Sequence, residues 1–311
     1  MCRFLYYSLI ILALTQSTIN ADCSASIPKE APKIEGSAIH GLLDIAFKND
    51  YITPRGLLVT DTGLTIQVLS ILTLEVYKDK DPCTFINNLS LVGGGWNDIW
   101  TVQHDPYVGP WNEFDWFAGF VITFDQNWKL ATQFLEFLSP PHHFKTERNL
   151  ESTLSYDDSK WNLPIVFNPY AKFFWAISGD STVVVGKHGH TYYVELGITP
   201  TLDLNRYGIP TVITSPTWIT IGPAQFWNGS ILGIKKEKSH FGVFSTGLTA
   251  KTPLTWIPTA FGNWYFSINV QYYHLINDNL LKAQTFTLIL DSIKDAHRDI
   301  GVVNGGIGFE F

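Results

Sequence analysis

The stretch GVVNGGIGFEF, residues 301–311, decides the fold that this sequence predicts. Val303, Ile307, Phe309 and Phe311 fall on one parity of the stretch, and mostly small or polar residues fall on the other. A period of two with one apolar face is the pattern of a β-strand, and about ten such residues cross a bilayer at a tilt. The pattern therefore predicts the closing strand of a transmembrane β-barrel.

Composition favours a protein whose surface faces lipid. Of the 311 residues, 16% are charged, whereas ordinary soluble domains have about 25%. Aromatic residues make up 14%, including 11 Trp and 13 Tyr, the residue types that gather at membrane interfaces. A Trp-rich secreted β-sandwich has a similar composition, so composition alone leaves both classes open.

The net charge and the cysteine content limit the classes of binding partner and the possible disulfides. The net charge is −7, and the basic segment 235–238 is interrupted by a glutamate, so no cluster is available to neutralise the phosphates of a nucleic acid. Of the 3 cysteines, Cys2 lies in the leader. Only Cys23 and Cys83 are left to form a disulfide in an oxidising periplasm, provided that processing retains Cys23.

Residues 1–25 predict a secretory signal peptide. Arg3 gives the positive start, residues 4–14 form the apolar region, and either Ala21 or Ala25 precedes the cleavage site. The apolar region is too short to span a bilayer as a helix. We therefore exclude the leader from the fold.

Residues 26–311 predict one domain, an outer-membrane β-barrel. No apolar run in it reaches the roughly 18 residues of a transmembrane helix, and the longest uncharged run, 207–234, is broken by prolines. An integral protein without such a run must close its sheet, because an open sheet in lipid leaves backbone groups unpaired.

Alternating segments of strand length recur along this domain and predict about twelve strands. They lie near residues 43–48, 64–77, 85–95, 114–124, 128–138, 150–156, 165–177, 192–198, 209–221, 239–249, 264–273 and 301–311. The segments 114–124 and 128–138 make the clearest hairpin, with 125–127 as its turn. The predicted fold class is all-β, a closed antiparallel transmembrane β-barrel with an even number of strands.

Connection lengths agree with this topology. With the N-terminus in the periplasm, the extracellular connections lie near 50–62, 96–113, 139–148, 178–189, 223–238 and 276–300. The other connections, such as 125–127, 158–164 and 201–208, are mostly shorter. Long outer loops and short periplasmic turns are typical of such barrels. The connection 251–262 is long for a turn, and 286–293 fits either a strand or a helix.

Three passages carry a family resemblance. They are the opening hairpin FKNDYITPRGLLVTDTGLTIQV (47–68), the central run 155–204 with its Tyr-Glu-Leu-Gly segment, and the last strand with its final Phe. In these passages the chain resembles the TorF-type porins, a family of bacterial outer-membrane β-barrels. The resemblance implies a porin-like barrel and brings no catalytic signature. The Gly-rich residues 93–95 and the Pro-rich segment 209–223 depart from the family pattern, which leaves the strand count open.

If the apolar parity faces lipid, the opposite parity lines the lumen. The predicted lumen-lining residues are Asp44, Lys48, Gln67, Glu75, Glu151, Lys172, Glu195, Asn269 and Gln271. Charges of both signs across a pore filter solutes through the field between them. The alternative is a narrow, side-chain-filled interior in which these groups pair with one another. The tyrosines at 170, 193, 265 and 273 would also point inward and take up volume.

No catalytic, cofactor or metal site is predicted. His142 with His143 and His188 with His190 fall in predicted extracellular loops, with no carboxylate or thiol at helical ligand spacing. An outer-membrane phospholipase would use Ser and His on the outer face of a barrel, but no GxSxG elbow supports this. The glycines at 93–95 are not a phosphate loop, because no Lys-Ser/Thr follows them.

The sequence thus predicts a non-enzymatic outer-membrane porin for passive diffusion of small solutes. Its partner is the lipid bilayer, and it is either a monomer or a homo-oligomer. One alternative is a plugged barrel that binds a ligand through the loop aromatics Trp96, Trp100, Tyr107 and Trp111. Another is a secreted soluble β-sandwich that binds carbohydrate through the same aromatics.

Overall fold

The computed structural model describes residues 38–79, 84–102, 110–142, 144–178, 190–227, 239–289 and 293–311, and for 285–289 it describes the backbone alone. The predicted signal peptide lies outside these ranges, together with Cys2, Cys23, Cys83, Tyr107, His143 and His188. The expectations attached to those residues stay predictions.

The described chain consists mostly of strands. They are β1 (Ile39–Lys48), β2 (Tyr51–Ile52), β3 (Leu58–Thr60), β4 (Thr65–Lys78), β5 (Ile86–Trp100), β6 (Trp111–Phe124), β7 (Trp128–Leu138), β8 (Glu147–Tyr156), β9 (Tyr170–Ala176), β10 (Thr191–Ile198), β11 (Thr201–Asp203), β12 (Val212–Thr214), β13 (Thr217–Ile221), β14 (Phe241–Pro253), β15 (Asn263–Leu275) and β16 (Asp299–Glu310). The α-helix α1 covers Asp278–Ile289, and short 3₁₀ helices include Ser159–Trp161 and Ala224–Trp227.

Twelve of these strands, β1, β4–β10 and β13–β16, close an antiparallel barrel in chain order. The last strand, β16, pairs with β15, placing Val303 opposite Val270, and with β1, placing Ile307 opposite Ile45. The closed barrel that residues 301–311 predicted is confirmed. A single closed sheet also contradicts the alternative of a soluble sandwich of two packed sheets.

The outer face of the barrel is apolar. Leu72, Leu248, Val270 and Val303 point outward and are each more than half exposed. Their neighbours along each strand point inward, as the alternation predicted. Apolar side chains that project outward all around a closed sheet form a surface suited to lipid.

A row of aromatic rings borders this surface at one end. We call this the turn end, since the tight turn 125–127 lies there. Neighbouring rings of the row lie 4.9–6.4 Å apart between centroids. Its members are Phe85, Phe124, Trp128, Tyr156 and Trp161. Aromatic rows of this kind mark the boundary between the hydrocarbon and the headgroups of a bilayer.

Prolines delay two strands relative to the prediction. β9 begins at Tyr170 instead of residue 165, and β13 begins at Thr217 instead of residue 209. Pro169 and Pro216 directly precede these strands, and proline cannot donate a hydrogen bond to a sheet. The turn-end connections before β9 and β13 are therefore longer than predicted, and the second carries the small hairpin of β11 and β12. The uncertain segment 286–293 belongs in part to α1.

Gly119 on β6 tests how closely β6 and β7 pack. A Cβ added there would lie 2.0 Å from the carbonyl oxygen of Thr132 and 2.6 Å from the Cα of Gln133. Alanine must push the two strands apart, so we expect Gly119→Ala to lower the free energy of unfolding by about 1–3 kcal/mol. Urea unfolding of the detergent-folded barrel measures this. Gly301→Ala is the control, because its added Cβ meets nothing within 4 Å; an equal loss in both variants would contradict the argument.

Candidate functional site

The connection between β1 and β4 packs inside the barrel. We call residues 49–64, which include β2 and β3, the inner hairpin. Its residues Tyr51 and Leu58 are buried. The Tyr51 ring lies 5.5 Å from the Trp96 ring of β5, and its hydroxyl donates to Glu113 Oε2 of β6 at 3.0 Å. The prediction of an outer loop at 50–62 is therefore corrected, since much of this segment fills the barrel interior.

The tip of the inner hairpin reaches the opposite walls. Gly56 has φ +91°, a left-handed conformation that glycine adopts without strain. A Cβ added at Gly56 would lie 2.6 Å from Val243 of β14 and 2.7 Å from Leu280 of α1. The neighbouring Arg55 guanidinium lies 4.9 Å from the ring centre of Phe137 on β7. The inner hairpin thus spans the barrel from β1 and β4 to β7, β14 and α1.

Helical segments complete the packing at this end, which we call the loop end. Phe226 and Trp227 of the 3₁₀ helix and Leu280 of α1 are completely buried. They belong to one hydrophobic cluster with Leu58 of the inner hairpin and Tyr193 of β10. The described part of the interior at the loop end is therefore filled with packed side chains.

Arg55 is a buried charge at the hairpin tip. Its side chain is only 5% exposed. Burial alone would lower the pKa of the guanidinium, but the opposing charges, that of Glu147 on β8 above all, raise the pKa above its ordinary value. Removing one partner of such a group leaves the other charged in a dry site. Arg55 therefore ties the inner hairpin to the barrel wall.

Beside the hairpin tip, the barrel contains a polar cavity of about 570 Å³. Its lining comes from β1, β9, β10 and β13–β16, and Pro54 of the inner hairpin borders it. Six of the predicted lumen residues surround this cavity: Asp44, Lys48, Lys172, Glu195, Asn269 and Gln271. The structure thus brings together groups that are far apart in the sequence.

The other three predicted lumen residues lie away from this cavity. Gln67 is buried, and its Nε2 donates to Asp98 Oδ1 at 3.1 Å. Glu75 lies 3.2 Å from Lys78 on the same strand. Glu151 lies on β8, beside Lys172 of β9. These three side chains are held by polar neighbours within the wall.

Lys172 is the centre of a charged ladder on β8, β9 and β10. Its Nζ lies 3.5 Å from Glu195 Oε1 and 3.8 Å from Glu151 Oε2. The Tyr170 hydroxyl donates to Glu195 Oε1 at 2.8 Å. Charges of both signs therefore alternate across three neighbouring strands, and the Lys172–Glu195 part of this ladder lines the polar cavity.

Tyr265 stands in the cavity wall toward the turn end. Its hydroxyl donates to Asp44 Oδ2 at 2.7 Å. Lys251 Nζ lies 3.6 Å from the centre of the same ring and also pairs with Glu310. The tyrosine thus takes up interior volume, as the side-chain-filled alternative predicted, and its polar partners leave this part of the wall hydrophilic.

The aromatic residues expected to form a surface loop lie in strands. β5 extends to Trp100, beyond the predicted end at residue 95, because the glycines at 93–95 pair within the ladder with β4. Trp96 consequently faces the inner hairpin, and Trp100 Nε1 donates to Asp98. Trp111 starts β6 and is exposed. These three side chains do not form one surface for a ligand.

Two kinds of feature are absent from the described ranges. No group of three or more His, Cys, Asp or Glu side chains there could hold a metal ion. No helix in the same ranges is long and apolar enough to cross a membrane. Of the predicted loop histidines, His142 has φ +62°, and the His190 ring lies 6.3 Å from the Trp175 ring.

The outer surface decides where the barrel resides. An apolar belt of this extent is unfavourable in water and is stable in lipid. Single-chain antiparallel barrels with an even number of strands belong to the bacterial outer membrane. The chain is a bacterial outer-membrane β-barrel.

Comparisons with known proteins give similarity in architecture at low identity. No protein family and no curated protein matches the chain. Among solved structures, the NanC porin is 11% identical, with 86% of this chain and 98% of that chain covered and a TM-score of 0.44. An outer membrane channel from Pseudomonas putida F1 is 11% identical, with 92% and 100% covered and a TM-score of 0.44. The translocator domain of the autotransporter NalP from Neisseria meningitidis is 10% identical, with 90% of each chain covered and a TM-score of 0.42. At these values the similarity carries no argument about function.

Arg55→Ala tests the attachment of the inner hairpin. Truncation leaves the Glu147 carboxylate facing a site without its cation, so we expect a loss of about 3–5 kcal/mol in the free energy of unfolding. The control is Arg148→Ala, which removes a pair with Glu136 on the outer surface and should cost less than about 1 kcal/mol. Urea unfolding in the same detergent compares the two. Similar losses would show that Arg55 does not anchor the hairpin.

Proposed function

We propose that the chain is a porin-like barrel through which small polar solutes diffuse passively, without any chemical reaction. The polar cavity of about 570 Å³ carries the proposal, because six of the predicted lumen residues surround it. The resemblance of three sequence passages to TorF-type porins favours the same class. In this proposal residues 1–25 serve as the export leader and residues 26–311 form the working barrel.

The inner hairpin limits the path in this proposal. Pro54 borders the polar cavity, and the packed side chains of the loop end lie beyond it. A solute that enters from the turn end therefore meets the hairpin tip before it can cross. Passage requires a narrow route along the hairpin or a displacement of it.

The lining selects for small, hydrated solutes that carry little net charge. The lining includes Lys48, Lys172 and Lys251 beside Asp44 and Glu195. Because Lys251 also pairs with Glu310, neither sign prevails. The carboxamides of Asn269 and Gln271 add hydrogen-bonding groups of both kinds. Such a lining replaces part of the hydration shell of a polar solute, and it offers no favourable contact to an apolar molecule.

A second candidate is a plugged barrel that does not conduct. The complete burial of Phe226, Trp227 and Leu280 beside the inner hairpin favours it. In this case the hairpin would serve as a structural filler, and the polar cavity would be a dead-end vestibule. Conductance separates the two candidates.

Replacing residues 51–60 with a short Gly/Ser linker tests the role of the inner hairpin. The replacement removes the buried crossing segment but keeps β1 and β4. We expect the native barrel to show small conductance steps in planar bilayers at high salt, and we expect the variant to show steps several-fold larger. A heat-modifiable shift in gel mobility confirms that the variant has folded.

The outcomes of this experiment distinguish the candidates. A native barrel that conducts supports the diffusion channel. A silent native barrel with a conducting variant supports the plugged barrel. Silence in both, with folding confirmed, would overturn the proposal that the polar cavity belongs to a solute path.

Lys172→Gln tests the charged ladder. The substitution removes the cation between Glu151 and Glu195, so the lining becomes more negative. We expect the reversal potential in a KCl gradient to shift toward cation selectivity. Lys160→Gln is the matched control, since Lys160 lies over Tyr156 in the outer aromatic row. An equal shift in both variants, or none in Lys172→Gln, would contradict the assigned path.

A further inference from the structure

Part of the inner wall of the barrel is lined by apolar side chains. Inward-facing positions of membrane barrels usually carry polar side chains. Along β4–β7, however, inward positions hold Leu69, Ile71, Phe117, Val121 and Leu135. These residues lie on the same parity as buried polar groups such as Gln67. Polar side chains are thus replaced by apolar ones in this patch of the inner wall, as they are in the hydrophobic cluster at the loop end.

This patch encloses a second cavity, which we call the apolar chamber. Its volume is about 320 Å³, the liquid volume of roughly ten water molecules at about 30 Å³ each. That space fits a medium-length alkyl chain or two fused rings. Besides the five apolar residues named above, its lining includes Val92, Trp96, Asp115 and Gln133. None of the residues around the polar cavity borders it.

A single carboxylate stands in the lining of the apolar chamber. Asp115 Oδ1 is buried and has no hydrogen-bond partner among the described residues. The Asp115 carboxyl shares a hydrogen bond with the carboxyl of Glu113, and Glu147 and Arg55 are its other charged neighbours, so acidic groups outnumber the one cation. A buried acceptor without a partner is unfavourable, and a donor supplied by a ligand would relieve that cost. The surplus of carboxylates favours a donor that carries a positive charge.

We propose that the apolar chamber binds a small hydrophobic molecule that ends in an ammonium group. Its apolar body packs against Leu69, Val121 and Leu135, and its ammonium group donates to Asp115. Pockets of a few hundred Å³ with apolar walls and one placed polar group are typical of small-molecule sites. The inference goes beyond solute diffusion and does not rest on it, because the chamber and the polar cavity share no lining residue.

The binding experiment compares two probes of one shape. The probes are 1-naphthylmethylamine and 1-naphthylmethanol, which differ in the charge of their head. The barrel is held in phosphatidylcholine nanodiscs, because detergent chains would compete for the chamber. Isothermal titration against matched empty nanodiscs gives the affinity of each probe. We expect saturable binding of both, with the amine bound about tenfold more tightly, the scale of one charge-assisted hydrogen bond.

Three variants assign the site. Asp115→Asn should remove the preference for the amine and leave the affinity for the alcohol almost unchanged. Leu135→Trp should fill the chamber and abolish binding of both probes, and Val92→Phe is the milder substitute if that variant fails to fold. Ser267→Leu adds apolar volume to the polar cavity and should leave both affinities unchanged.

Several results would overturn the inference. If the native barrel shows no saturable binding of the amine, the chamber does not bind small hydrophobic amines. Binding that survives Leu135→Trp and Val92→Phe in folded barrels places the probe elsewhere. An amine preference that persists in Asp115→Asn rejects the carboxylate as the recognition group. Conductance plays no part in these measurements, so failure here and failure of the channel are distinguishable.

Discussion

A bilayer offers no hydrogen-bond partner to a peptide group, and this constraint organises the whole chain. The barrel meets it because β16 pairs with β15 on one side and with β1 on the other. Antiparallel pairing in chain order places the connections alternately at the loop end and the turn end. The same closure fixes which face of every strand looks into the barrel. The outer belt, the aromatic row and both cavities follow from that assignment of faces.

A twelve-stranded barrel is wider than its own wall side chains can fill. Barrels of about eight strands have an interior just wide enough for their side chains, and this one encloses more space. The inner hairpin, α1 and the 3₁₀ helix supply volume at the loop end. The polar cavity and the apolar chamber are the spaces that this filling leaves. Each takes its character from the residues that line it, since β1, β9 and β10 bring charges to the polar cavity and the chamber's lining on β4–β7 is mostly hydrocarbon.

Strand alternation is a property of neighbouring residues. It therefore predicted the features of the barrel that depend on local sequence alone. The parity of the last strand predicted that it closes the barrel, and the inward faces of β9, β10 and β15 were predicted from a period of two. Proline changed the start of β9 and β13, because a missing donor shortens a strand that periodicity alone would extend.

The path of the inner hairpin could not be read in this way. Whether a connection turns inward depends on the space inside the barrel and on partners contributed by remote strands. A signal was nevertheless present, because Ile52, Leu57 and Leu58 are apolar residues in a connection expected to meet water. Arg55 was missed for the same reason, since its partner Glu147 lies on β8 and no spacing relates the two residues. The inward-facing Leu69 and Ile71 could have pointed to an apolar wall, but their neighbours Phe117 and Leu135 come from other strands.

The position of the inner hairpin in the chain sets an order on assembly. It follows β1 directly, whereas its partners Val243 and Leu280 come from the last third of the sequence. β1 is also the strand that β16 must reach to complete the ring. Because the hairpin joins β1 to β4 at the loop end, it can enter the barrel through that mouth, but its tip has no packing partners until β14 and α1 are in place. The buried contacts of the hairpin tip are therefore completed late in assembly.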